Sequence, residues 1–547
     1  MFSPRLISIS AILAVASLCY GQDSLLLRDY QFVKRTDAWL TSQNAAGLTR
    51  FSHSAISEAE LSLKKSKGGL VDWYESPDHL QATASVESFT RISQRAVVFG
   101  AMTYDNFSGR DMAGSAFVSP NHKPFDIVED SLVNTGTKHR DTYRLTGAVG
   151  VDVWRTLAAG IRLDYTAANY AKYKDLRHKS KLMDMQFTAG VLLTPSLLTP
   201  SLLTLGVNYL YRRTTESLVF SLYGREDKVY KSLIDYGTFM GRVEQFGSSG
   251  YTDKGQEMPL VDDYNGVGLQ LSLQPTGGLT FYNALTYARR KGYYGRKSPY
   301  TITYTNHHAD LLTYEARLSW TVPELVGETG RQSMFSADLT LSSENLENQA
   351  NTYRELSNES GAHYYEYYDP VKTANKLWRN GHFGLTADLF MNGELPVWTL
   401  MASLDWQNRQ QTSYLYPYFR RQHLHHTKFT LSATRHLLTP KGVWTFSLST
   451  AYQKGRGEPY TDLTFAEPSD KQTAPATMDA WLWREYQYIV APQYTIGGSC
   501  AYAFVFPQTK LKTHVRLSAT HRKANQTYEY SNGKDCTSLA LTVGCTF

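Results

Sequence analysis

The chain has little cysteine, little net charge and almost no long apolar stretch, and each shortage excludes a class of protein. Four cysteines in 547 residues (Cys19, Cys500, Cys536 and Cys545) are too few for a disulfide scaffold, and their spacing fits no zinc pattern. Beyond residue 21 there is no run of about 20 consecutive apolar residues, which excludes a bundle of membrane-spanning helices. A net charge of +6 on so long a chain gives no footprint for nucleic acid. Aromatics, by contrast, are plentiful: 38 Tyr, 23 Phe and 10 Trp, a composition that argues against disorder.

The first residues read as a leader. Arg5 precedes an apolar stretch over 6–18, and Cys19-Tyr20-Gly21 follows. That order is a secretory signal peptide, 1–21, with cleavage predicted after Gly21. The bulk of Leu18 disfavours the alternative in which Cys19 carries a lipid anchor.

After the leader the dominant signal is period-two alternation. Tyr143, Leu145, Val149, Val151 and Val153 alternate with Arg144, Thr146, Ala148, Gly150 and Asp152. Leu157, Ile161, Leu163 and Tyr165 alternate with Ala158, Gly160, Arg162 and Asp164 after a break at Arg155-Thr156, which makes a hairpin. The pattern recurs around Asp184, through Glu315 and Arg317, Asp338 and Asp388, and through Lys512 and Arg516. One face is apolar and the other carries charges of both signs. Against lipid those charges would be costly; in a wet lumen they are not.

Connections are of two kinds that take turns. Short breaks occur at Thr194-Pro195, Pro275-Thr276-Gly277, Pro323-Glu324, Asn392-Gly393, Pro440-Lys441-Gly442 and Pro507-Gln508. Between them lie long polar loops, predicted at 108–138, 215–261, 292–306, 346–379, 412–423 and 456–484. Alternation of this kind marks an outer-membrane barrel, with short turns on one side and long loops on the other. The predicted fold is an all-β, transmembrane, antiparallel up-and-down β-barrel of about 18 strands (range 14–18) over 54–547, with a short N-terminal hatch or periplasmic segment at 22–53. The first strand is expected near 54–66 and the last at 534–547. The stretch 485–506 reads as one tall strand or two short ones. A repeated tract over 193–203 reads as tolerated lengthening of a turn.

The last strand alternates Leu539, Leu541, Val543, Cys545 and Phe547 with small or polar residues. It resembles the terminal signal that the barrel-assembly machinery recognises in bacterial outer-membrane proteins, so that machinery is an expected partner during insertion. The element Asn44-Ala45-Ala46-Gly47-Leu48 resembles the Asn-Pro-Ala-Gly-Leu element in the hatch of the long-chain fatty-acid transporter family, with Ala45 in place of the Pro. From that element to Phe547 the chain resembles an uncharacterised Bacteroidota outer-membrane β-barrel family. The resemblance implies a bacterial outer-membrane location, contact with lipid and lipopolysaccharide, and a hatch; it implies no activity.

Candidate sites are few. His307-His308 with Asp310, and His423, His425 and His426 beside Arg420 and Arg421, fall at predicted outer strand ends. Such spots are where an outer-membrane enzyme or a metal would sit, but a polar rim is the simpler reading, and no residue is assigned as catalytic, cofactor-binding or metal-binding. Tyr364, Tyr365, Tyr367 and Tyr368 form either a ligand platform or a loop packed on its own aromatic core. Loop 215–261, with Phe220, Tyr223, Tyr230, Tyr236, Phe239, Met240 and Phe246, is too apolar to float and is expected to fold into the barrel mouth or meet a partner. The mixed-sign lumen set (Arg144, Asp152, Arg162, Asp164, Asp184, Glu315, Arg317, Asp338, Asp388, Lys512, Arg516) predicts ion pairs across a narrowed or plugged interior. The expected function is passive transport of small or hydrophobic solutes by a non-enzymatic barrel. The alternative is a subunit of a larger outer-membrane transporter, secretion or assembly complex.

Overall fold

In the computed structural model, residues 25–129, 134–175, 177–195, 202–221, 230–246, 258–276, 278–323, 331–506, 509 and 511–547 are described. The predicted leader 1–21 with its predicted cut, Tyr223, the middle of the repeated tract and the turn Pro507-Gln508 lie outside them. Eighteen antiparallel strands form one sheet in which each strand pairs with its neighbours along the chain, from Ala55–Lys67 to Asp535–Thr546. The sheet closes because the first strand pairs on one edge with Asp78–Arg91 and on the other with the last strand, in the register Leu61↔Val543 and Leu63↔Leu541. At the seam Phe547 exchanges both backbone hydrogen bonds with Ser57, at 2.9 and 3.0 Å. Closure leaves no sheet edge exposed to lipid.

The outward face is apolar. Leu61, Leu163, Leu269, Leu318, Leu448 and Leu541 are all exposed on it. Aromatic residues mark both borders of this band. Trp154, Trp320, Trp398 and Trp444 stand exposed near the short-turn end. Trp406 and Tyr452 stand eight residues further along the strands of Trp398 and Trp444. At about 3.3 Å per residue that is about 26 Å along a tilted strand, the height of a hydrocarbon band between two aromatic girdles.

Several strands run well past that height, and here the loop expectations need correction. Of the predicted loop 346–379 only 358–362 is a connection; the rest continues the ladder between Ser333–Ser357 and His363–Asn392. The predicted loop 412–423 is strand on both sides of Tyr416-Pro417, and the hairpin above it runs to Thr464. These extensions stand in water, where nothing requires an apolar face, so period-two alternation fades although the ladder persists. Cross-strand pairs hold it instead, such as Arg354 with Glu366 at 2.7 Å and Lys372 with Glu347 at 2.6 Å. The stretch 485–506 is neither one tall strand nor two short ones. It is the end of a helix, Asp479–Val490, and a single strand, Gln493–Phe506. Buried Trp481, Leu482 and Glu485 give the helix one inward side, a 3.6-residue period that a strand template misses.

Candidate functional site in the lumen

The barrel interior is filled from both ends. At the short-turn end lies the N-terminal segment: a helix Tyr30–Thr36, a short helix Ala38–Thr41 and a 3-10 turn Ala45–Arg50. Asp29, Asp37 and Asn44 cap these pieces by accepting from Phe32, Trp39 and Ala46 backbone N–H groups. The segment touches opposite walls. Tyr30 donates to Glu87 at 2.8 Å, Arg35 pairs with Asp388 at 2.7 Å, and Trp39 packs edge-on against Tyr282.

Asn44 through Leu48 are fully buried against the wall. The Asn44 carboxamide donates to the carbonyls of Val191 and Val207 and to Gln270, at 3.0, 3.3 and 3.0 Å. At its closest approach the wall beneath them is glycine. Gly150, Gly160 and Gly190 stand directly opposite one another on three successive strands, and Asn208 and Gly268 continue the row. A Cβ at Gly160 would overlap the Ala46 nitrogen, one at Gly190 would overlap the Asn44 side chain, and one at Gly150 would stand 2.5 Å from the Ala45 carbonyl. Glycine inside a strand marks close approach of another backbone, and this row is a seat cut for the 44–48 element.

At the long-loop end a second body fills the mouth. Asp126–Val128, Tyr230–Asp235, Met240–Phe246 and Ala476–Thr477 form a four-stranded sheet. The helix Asp479–Val490 closes over it, with Trp481 against Trp73 and Phe239 in one apolar core. Phe220, Tyr236 and Phe246 are buried in another, so Phe220, Tyr236, Phe239 and Phe246 of the predicted loop 215–261 pack into the mouth. Ion pairs tie this cap to the wall. Glu129 meets the fully buried Lys138 at 2.7 Å and also Lys172; Lys123 meets Glu216 at 2.5 Å; Arg409 meets Glu485 at 2.7 Å. Arg290 binds Asp262 and Glu344 and donates to the His122 carbonyl of the cap at 2.7 Å. Within the cap, burial pushes the Asp126 carboxyl up to about 7 and that of Asp235 up to about 6.

The sequence-selected residues fall as follows. Arg162 binds Asp164 on its own strand, Asp184 binds Arg212 and Arg317 binds Asp338 on adjacent strands, and Arg516 lies 3.6 Å from Glu60. These pairs run along the wall rather than across the lumen. Of this set, Asp388 with Arg35, Arg317 with the Arg35 carbonyl and Lys512 with the Arg28 carbonyl join the wall to the N-terminal segment. Arg144, Asp152 and Glu315 lie on the same inward registers, and their side chains form no hydrogen bond among the described residues. His307 is buried with its Nε2 2.5 Å from Asp262, whereas His308 and Asp310 fall on the opposite register. His423 and His425 stack outward, ring centres 4.3 Å apart, while His426 occupies the inward register. Among the described residues no group of three His, Cys, Asp or Glu is placed to hold a metal. Tyr365 and Tyr367 pack on Tyr353, and the Tyr367 hydroxyl accepts from the Thr303 N–H at 2.7 Å; Tyr368 is exposed and Tyr364 half-buried. Leu541 and Val543 face outward in the closing strand, where Cys545 shares their register.

Below the cap lies a cavity of about 600 Å³, walled by strands from both sides of the seam and roofed by Val71, Tyr74 and Val118. No local pattern marks it, because its lining comes from ten strands that only the closed register brings together.

A family model matches residues 45–547. The chain belongs to DUF6850, a family of unknown function. No curated protein matches it. Among solved structures, DUF6850 as seen in this chain is similar to the ferric preacinetobactin receptor of Acinetobacter baumannii (9% identity, 91% of this chain and 80% of that one, TM-score 0.43). It is also similar to the outer membrane transporter YddB of Escherichia coli (10%, 90% and 81%, 0.38) and to a FadL homologue of Pseudomonas aeruginosa (9%, 92% and 92%, 0.28). These likenesses concern barrel architecture and carry nothing about what this chain moves or binds.

Proposed function

We propose that the protein is a bacterial outer-membrane barrel that passes small solutes passively through its lumen, with the N-terminal segment and the loop cap as gates at the two ends. The observation that carries this reading is the glycine row. A permanently sealed wall would be filled by side chains of its own strands. Here Gly150, Gly160 and Gly190 leave a shaped seat for a separate segment. Such a segment is held by hydrogen bonds and packing, and the chain leads from it into the first strand at Ala55. The polar lining of the cavity favours polar solutes over hydrophobic ones.

The test is solute flux into proteoliposomes carrying the full chain. Wild type is expected to pass small sugars and organic acids slowly, and Gly160→Val to pass them faster, because the valine side chain evicts Ala46 from its seat. No flux in either protein overturns the reading. The second reading, a subunit of a larger assembly, draws on the hairpin Ser333–Ser357 with His363–Asn392, which rises beyond the girdles with Tyr367, Tyr368 and Val371 exposed. A stoichiometric partner recovered from the native membrane in mild detergent would favour it.

A further inference from the structure

The cavity beneath the cap is lined by four cations and a single carboxylate, and the buried Asp105 carboxylate beside it accepts from Gln81 and Thr83. Lys64, Arg140, Lys428 and Arg522 all contribute to its wall, and Glu75 is the carboxylate among its lining residues. None of the four cations forms an ion pair among the described residues. Arg522 is spent on neutral partners, donating to the Tyr488 hydroxyl and the Leu70 carbonyl, both at 2.7 Å. Asp405 stands opposite Lys428 in the strand register, but its carboxylate is taken up by His382 at 2.7 Å. Arg140 lies over the Phe107 ring at 5.2 Å, and its Nε is buried with no acceptor. A buried guanidinium nitrogen without a partner carries a desolvation cost that an anion in the cavity would relieve.

Their placement is regular. Lys64, Gln81, Phe107 and Arg140 stand opposite one another in register on four adjoining strands. Arg522 lies two strands from Lys64 on the other side of the seam, and Lys428 three strands beyond that. With neighbouring strands about 4.8 Å apart and about 3.3 Å per residue along them, the backbones of the four cations are spaced roughly 14–16 Å along half of the barrel wall, a gap that the long Lys and Arg side chains narrow. A single monovalent anion would engage one of them; a small anion carrying several charges engages two or three across the curved wall. Rings of Lys and Arg are how pores select anions and phosphates.

Resting on the transport reading above, we propose that the cavity is a binding and selection site for small multiply charged anions, organic polycarboxylates or phosphates, on their way through the lumen. The test uses the purified full-length protein in detergent and in proteoliposomes. By titration calorimetry, citrate and pyrophosphate are expected to bind and glucose not to, and Arg140→Gln with Lys428→Gln is expected to weaken citrate at least tenfold. Arg140→Lys, which keeps the charge, should retain most of the affinity and so separates loss of charge from loss of fold. In bilayers the reversal potential under a salt gradient should report anion preference in wild type and move toward zero in the double variant. Citrate binding no stronger than glucose, or a reversal potential that the double variant does not move, overturns the proposal. Flux of glucose and citrate at equal rates also overturns it while leaving the transport reading intact. Citrate binding with no flux of any solute supports the site and overturns transport.

Discussion

At the scale of single residues, the cap is where protonation matters. Asp126 and Asp235 face one another in the cap sheet, both buried, with the Lys376 ammonium nearby. Asp126 accepts from the Ser115 hydroxyl and the Ile127 N–H, each at 2.7 Å, and its second oxygen is buried without a partner. Burial pushes its carboxyl up to about 7, above the unfolded value of about 4. A carboxyl raised in the folded state holds its proton better folded than unfolded, so the cap is most stable at low pH and loses stability as pH climbs from about 4 to about 7. Trp73 and Trp481, 5.9 Å apart in the cap core, report this. Their fluorescence melt should shift to lower temperature between pH 5 and 8, and Asp126→Asn should flatten the shift; an unchanged slope in that variant would remove Asp126 from the account. Nothing in the sequence marks Asp126, since its environment is made by segments more than 100 residues apart. Residues 44–48 drew attention in the sequence only through a resemblance, and their seat of glycines from three strands left no local mark. His307 illustrates the reverse case: it stood out among its neighbours, and the fold buries it against Asp262.

At the scale of elements, alternation was legible wherever lipid enforces it and illegible above the girdles. The 18 strands, the turn positions at 392–393 and 440–442 and the closing strand all follow from one apolar face per strand. The tall hairpins and the Asp479–Val490 helix obey other constraints, so a rule for lipid-facing strands took them for loop or strand. The cap as an element depends on its charged fastenings. Glu129 accepts from Lys172 and forms an ion pair with Lys138 at 2.7 Å, both lysine side chains being fully buried, and its backbone carbonyl accepts from the Trp481 indole at 3.2 Å. Breaking a buried pair by removing one partner costs about 3–5 kcal/mol, because the remaining charge is left uncompensated. Glu129→Gln leaves two ammonium groups against a neutral amide. It should therefore expose cap segments to trypsin while the barrel keeps its heat-modifiable migration on gels. Trypsin resistance equal to wild type would show that the apolar cores alone hold the cap.

At the scale of the whole molecule, the two closures lie in series along one lumen. The N-terminal segment and the cap contact the wall through separate sets of residues: the glycine row, Asp388 and Glu87 below, and Glu129, Arg290 and Arg409 above. Changes at well-separated sites with no shared partner add in free energy of folding. On the transport reading proposed above, conductance follows a different rule, because a current would have to pass both constrictions. Releasing one leaves the other to limit flow, whichever is released first. Gly160→Val and Glu129→Gln are therefore each expected to raise single-channel conductance modestly, and together to raise it by more than the sum of the two increments, while their effects on thermal stability simply add. Planar-bilayer recordings and thermal melts of the same four proteins decide this. If either single variant already conducts as well as the double, only one end of the lumen is a gate, and the variant that matches the double identifies which.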